Sequence, residues 1–162
     1  MTTADLLADY INRTAKFTKD TIADFSDADM LARPCKAANH TAWALGHLVH
    51  STRSMFAMAG ADVPQLPATF DEKYHSEATR NDDPSFFLKK AELIEWFDKV
   101  MGGVANFAKT RTPADLEKPT PEKLRGWCPT VGHLILMTPM HICMHTGQMQ
   151  VIRRSLGKPI LF

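Results

Sequence analysis

Two histidines, His141 and His145, stand four residues apart in the middle of a long segment of helical character. On an α-helix that spacing puts both imidazoles on one face, one turn apart. Two neutral imidazoles so placed can grip one metal ion from one side. A third donor is available in another stretch, Trp43-Ala-Leu-Gly-His47-Leu-Val-His50. His47 is the natural third ligand, about two turns into its helix, and His50, one turn on, is the alternative. A lone histidine on an apolar face is ordinarily a hydrogen-bonded core residue. It is the pair, joined by a histidine on a second buried helix, that favours a ligand role. Three imidazoles leave positions open for water or substrate, as in catalytic rather than closed structural sites. Imidazole donors suit Zn, Ni, Cu or Fe. If the three share one ion at about 2.0–2.1 Å, their nitrogens lie roughly 3–3.5 Å apart.

Neighbouring residues narrow the chemistry. Ile142 follows His141, where the helical zinc-protease motif has its glutamate base, so the protease reading fails and any base must come from elsewhere. Gln148 lies on the His141/His145 face, one turn further, where it would orient a ligand, touch substrate or serve packing. Trp43, His50 and Gln148 are the candidates for the pocket wall or for contacts behind the ligands. His133, eight residues before His141, is turned away and some 12 Å up the axis; it reads as solvent-facing or structural. Pro139 removes a helix hydrogen bond two residues before His141 and is expected to kink the helix there. Cys143, on another face, reads as a buried inert thiol. Cys35 and Cys128 each lie in the loop just before a histidine-bearing helix, where a nucleophilic or ligand role is the lesser reading.

Four amphipathic helices must position these side chains. The first runs from Ala4 to about Phe25, capped by Thr2 or Thr3, with Leu6, Leu7, Tyr10, Ile11, Thr14, Phe17, Thr21 and Phe25 at spacings of three and four. The second runs from about Asn39 to Ala59, with Asn39 or Thr41 as cap and Gly60 as stop. Trp43, His47, His50 and Ser54 share a face in it, and Leu45, Leu48, Val49, Met55, Phe56 and Met58 widen the buried surface. Residues 60–82 carry Pro64, Pro67 and a polar run, and read as irregular; so long a connection is either a pocket wall or a plain crossover. The third helix is expected to start with Asp83 as cap and Pro84 in its first turn. It extends to about Lys109, weakened at Gly102 and Gly103, where a bend is expected. Residues 110–129, with four prolines, read as a second irregular connector. The fourth helix starts at Thr130 and stops at Gly157 before Pro159, with Arg153 and Arg154 in its last turn. No strand is expected. The fold class is all-α: a four-helix bundle with long connectors between helices two and three and between three and four, in one domain over residues 1–162. Bundles build metal sites from side chains on facing helices.

Bulk properties exclude other classes. The chain has 162 residues, 44% hydrophobic and 23% charged, with net charge +1. That balance carries no basic footprint for nucleic acid and no electrostatic pull to a membrane. Three widely spaced cysteines do not form a disulfide framework and suit a reducing cytoplasm. The opening residues show no signal-peptide pattern, and the longest apolar run, Leu134 to Met137, is far too short to span a bilayer. The exposed charges Lys89, Lys90, Glu92 and Glu95 read as a solvated face.

The motifs Trp43-x-x-Gly46-His47-Leu48, His141-x-x-x-His145-x-Gly147-Gln148 and Arg153-Arg154-x-Leu156-Gly157, with the Thr130-Val131-Gly132 entry, resemble the DinB/YfiT-like superfamily of metal-binding four-helix bundles. The resemblance covers the whole chain in helix order. It implies one divalent metal ion on His47, His141 and His145, Zn or Ni first, Mn or Fe as alternatives. It also implies a homodimer and a small-molecule substrate. Characterised relatives include transferases of low-molecular-weight thiols and a thiol-dependent isomerase; others are described as metal-dependent hydrolases or damage-inducible proteins. The leading expectation is metal-assisted transfer of a thiol to an electrophile. The alternatives are hydrolysis by an activated water and a non-catalytic metal-binding or stress-response role. Pro139 and His133 depart from the family pattern, so substrate class does not carry over.

Overall fold

The structure is a computed structural model and describes residues 1–161. Its four long helices are α1 (Thr3–Thr21), α2 (Thr41–Met58), α4 (Lys90–Lys109) and α7 (Val131–Ser155), with short helices α3 (Thr69–Tyr74), α5 (Pro113–Leu116) and α6 (Glu122–Arg125) in the connectors. No strand occurs among the described residues, only an isolated bridge between Pro119 and Thr130. The bundle expected from the periodicity is present: α1 and α2 each pack against both α4 and α7. The two histidine-bearing helices are therefore neighbours. Ile11, Leu45, Leu48, Phe56, Phe97, Val100, Leu134 and Ile135 fill the space between the four helices and are fully buried. Among the described residues no helix is long and apolar enough to cross a membrane.

Helix ends follow the local chemistry, with corrections. Thr2 caps α1 in a reciprocal box with Asp5. The helix stops at Thr21, four residues before the expected Phe25, and Leu6 and Tyr10 of its apolar series face solvent. The cap of α2 is neither Asn39 nor Thr41 but His40, whose Nδ1 accepts from the Trp43 N–H at 3.0 Å. Met58, at the other end of α2, is exposed rather than buried. Helix α4 begins at Lys90, not after Asp83 and Pro84. Asp83 instead closes a tight turn by accepting from the Ser85 N–H, while Glu92 takes the Lys89 N–H and Asp27 the Lys90 N–H. The Lys90 ammonium is not merely solvated: it donates to the Ala23 and Phe25 carbonyls. Gly102 and Gly103 do not interrupt α4. Gly103 admits the Asp62 carbonyl to 3.0 Å of where a Cβ would stand.

Both connectors expected to be irregular hold structure. Residues 60–82 contain α3 and a 3-10 turn (Ser76–Arg80), and residues 110–129 contain α5 and α6. These elements are of four to six residues, too short to declare themselves by periodicity. Helix α3 packs on α2. Arg33, in the loop before α2, ties that loop to the end of the first connector, donating to the carbonyls of Ala38 and Thr79 and pairing with Asp82 at 2.7 Å.

Candidate metal centre

Helix α7 carries His141 and His145 as its sequence requires. Thr130 accepts from the His133 N–H at its start, and Gly157 takes a φ of 68° just past its end. The helix runs continuously through Pro139, whose missing N–H is absorbed without a break. The same turn of α7 that holds Pro139 in the core carries the next turn, with His141, toward α2.

His47, His141 and His145 converge, each offering a ring nitrogen within 4.8 Å of the other two. The Nε2 atoms of His141 and His145 face each other at 3.1 Å. That pair meets the spacing expected for a shared ion, while the set of three spans up to 4.8 Å, wider than that spacing. No other cluster of three or more potential ligands occurs among the described residues.

Each imidazole is held differently. His145 is buried, and its Nδ1–H donates to Gln148 Oε1 at 2.9 Å. That bond fixes the tautomer and leaves Nε2 as a lone pair directed at His141, which is how metal-binding histidines are commonly oriented. His47 stacks flat on Trp43, with ring centres 4.7 Å apart and planes 12° apart. Trp43 is itself anchored, its indole N–H donating to the His75 carbonyl at 3.1 Å. His141 has a buried Nδ1 with no hydrogen-bond partner.

Burial sets the charge of the site. It holds His47 and His141 down to about 4, helped in each case by the other imidazoles, while the Tyr74 carbonyl opposes it at His47. Burial lowers His145 too, against the Gln148 bond. All three are therefore neutral at pH 7, with lone pairs free for a cation. The donor set fits a divalent ion by type, number and protonation state. It contains no carboxylate, so the charge of a bound cation is left for an anionic ligand to balance.

The other sequence candidates fall in definite places. His50 is not among the converging three: its Nε2 pairs with Asp71 of α3 at 2.7 Å. His133 is exposed and bonded to its own cap, Thr130, at 2.8 Å. Cys143 is exposed, not buried, because its position on α7 faces away from α2; Cys35 is exposed and Cys128 buried.

The sequence did not reveal His40, Tyr74 or Asp71. His40 is wholly buried, donates from Nε2 to the Asn81 carbonyl at 3.2 Å, and caps the helix that presents Trp43 and His47. Histidine is not among the usual cap residues, so the motif carried no signal. Tyr74 lies against Gly46, where an added Cβ would sit 2.1 Å from its ring. That explains a glycine directly before His47 that the sequence left unexplained.

The sequence matches the model of the DinB superfamily over residues 10–149. No curated protein matches it. Among solved structures the chain is similar to a conserved protein from Enterococcus faecalis, with a TM-score of 0.70 and 15% identity, covering 98% of this chain and 99% of that one. At that identity the likeness is one of fold.

Proposed function

Because the chain belongs to the DinB superfamily, we propose that it is an enzyme that holds a divalent metal ion on His47, His141 and His145 and transfers a low-molecular-weight thiol to an electrophile. One observation carries the reading: three neutral imidazoles converge with no carboxylate among them, and Gln148 fixes the tautomer of one. A bound divalent ion would supply an open position that lowers the pKa of whatever acid binds there. This chain's residues do the rest. His145, held by Gln148, and His47, held against Trp43, keep two ligand rings from turning. The neutral donor set favours an anionic guest, and a thiolate answers that need without a general base. In the transfer, the sulfur gives up its proton to solvent and forms the bond to carbon, and the leaving group departs with the electron pair. Hydrolysis, by contrast, profits from a base beside the attacking water, and no carboxylate joins the cluster.

Metal analysis of protein purified without a histidine tag tests the site. One divalent ion per chain is expected, lost in His145→Ala; an unchanged metal content in that variant sinks the reading. Thiol consumption with alkylating electrophiles, measured beside ester and amide cleavage, then separates transfer from hydrolysis. Neither activity in metal-loaded protein favours a binding role. A homodimer is also proposed, supported by the exposed apolar face that Leu6, Tyr10 and Leu136 form across α1 and α7. Sedimentation should show twice the chain mass, reduced in Leu136→Lys.

A further inference from the structure

Beside the three histidines, the cleft between α2 and α7 widens into a pocket of about 700 Å³. Its α2 wall continues the face that carries His47: Ser51 and Met55 follow at four and eight residues. From His47 to Met55 that face runs about 12 Å along the helix. Its α7 wall includes His141 itself, so the pocket and the histidine cluster share a side chain.

The lining is apolar and soft. Met55, Met137, Met140 and Met144 contribute four thioethers, flexible and polarisable groups that mould to apolar guests. Trp127, on the segment after α6, is 87% exposed, and Met140 and Met144 are 64% and 53% exposed. Together they form an uncovered apolar wall beside the histidine cluster. The polar groups are few. The Ser51 hydroxyl donates to the His47 carbonyl at 2.6 Å and is occupied; Cys128 is buried. Lys123 is the one charged group of the lining, and no ion pair engages it among the described residues.

We infer that this pocket is the substrate subsite and takes an elongated apolar molecule, alkyl or aryl, whose anionic group pairs with Lys123 while its other end reaches the histidines. The fate of that reacting end rests on the metal reading above; binding of the apolar body and its anion does not.

The test uses straight-chain carboxylates from hexanoate to dodecanoate and the matching primary alcohols. They are titrated into the full chain as purified, and again after exhaustive chelation. Calorimetry follows binding, and tryptophan quenching, assigned with Trp127→Phe, locates it. The carboxylates should bind at one saturable site. Each added methylene should tighten binding about fourfold, until the chain outruns the groove. Lys123→Gln should weaken the carboxylates about fivefold and leave the alcohols unchanged, and Met144→Lys should remove the chain-length dependence. The same ranking is expected after chelation, so an unchanged metal content in His145→Ala with the series intact would sink only the metal reading. Absence of saturable binding, or binding indifferent to chain length or to Lys123, overturns the inference. So does a contact between copies at this face, seen as a halved mass in Trp127→Ala with no carboxylate bound.

Discussion

Single atoms decide much of this site. Gln148 touches the candidate metal centre only through one bond to His145 Nδ1, and its own side chain is exposed. Gln148→Ala should therefore weaken metal binding by about 10- to 100-fold while leaving the denaturation midpoint almost unchanged. Competition against a chromophoric chelator and urea unfolding measure the two separately. Glycines give a sharper contrast. Gly46→Ala drives a Cβ to within 2.1 Å of the Tyr74 ring, which is fully buried and held by the Leu88 N–H donating to its hydroxyl. The expected cost is about 3 kcal/mol in unfolding free energy. Gly102 lies mid-helix in α4 with nothing within 4 Å of an added Cβ. Gly102→Ala should instead stabilise by about 0.5–1 kcal/mol. Both glycines are plain letters in the sequence; what distinguishes them is Tyr74, 28 residues away from one of them in the chain.

At the scale of an element, the start of α2 couples the site to acid. His40 caps that helix with a lone pair on Nδ1 and donates from Nε2, so both nitrogens are committed to the neutral ring. Burial holds it down to about 4 from an ordinary 6.5, with Arg33 adding to the effect and the Asn81 bond opposing it. Between those values the unfolded chain binds a proton that the folded chain refuses. Stability therefore rises with pH across that window: the contribution is fully present above 6.5 and is lost as pH falls toward 4, about 3 kcal/mol in all. His47 and His141 of metal-free protein add slopes of the same sign. His40→Asn keeps a capping oxygen but does not titrate, so it should lower the slope of unfolding free energy against pH by about 1.4 kcal/mol per unit. Urea titrations of chelated protein from pH 4 to 7 check this; an unchanged slope would mean His40 is not held neutral.

The whole bundle is tied at the far end of α7. Arg153, 2% exposed, donates from Nε to the Pro159 carbonyl at 2.7 Å and from Nη1 to the Thr21 carbonyl at 3.1 Å, and it grips both oxygens of Asp24. Thr18 and Thr146 share a buried hydrogen bond at 2.7 Å across the same pair of helices. This clamp fixes α1 against α7. Arg153→Ala empties a buried site and strips the buried Thr21 carbonyl of its partner, and should cost about 2 kcal/mol. Arg153→Lys should recover only part, because one ammonium cannot reproduce the fork. Thermal unfolding of the two variants orders them.

Several features were settled locally, by groups within a few residues of each other. The four long helices, the Thr130 and Gly157 ends of α7 and the His141/His145 pair follow from periods of 3.6 residues and from caps three or four residues away. His47 was also legible as the favoured third histidine, from its place about two turns into a buried helix facing the pair, with His50 as the alternative; it is His47 that converges with His141 and His145. What the chain order could not show was anything set by a distant neighbour. The start of α4 depends on Asp27 and Glu92 rather than on the Asp83-Pro84 signal. His50 leaves the cluster because Asp71 of a six-residue helix takes it. Arg153 reads as a cation at a helix end, yet it is the buried tie to Asp24. A sequence states each residue's chemistry and its near neighbours along one element; which distant group satisfies a buried atom is fixed only when the helices pack, since burial is what makes an unpaired polar group costly.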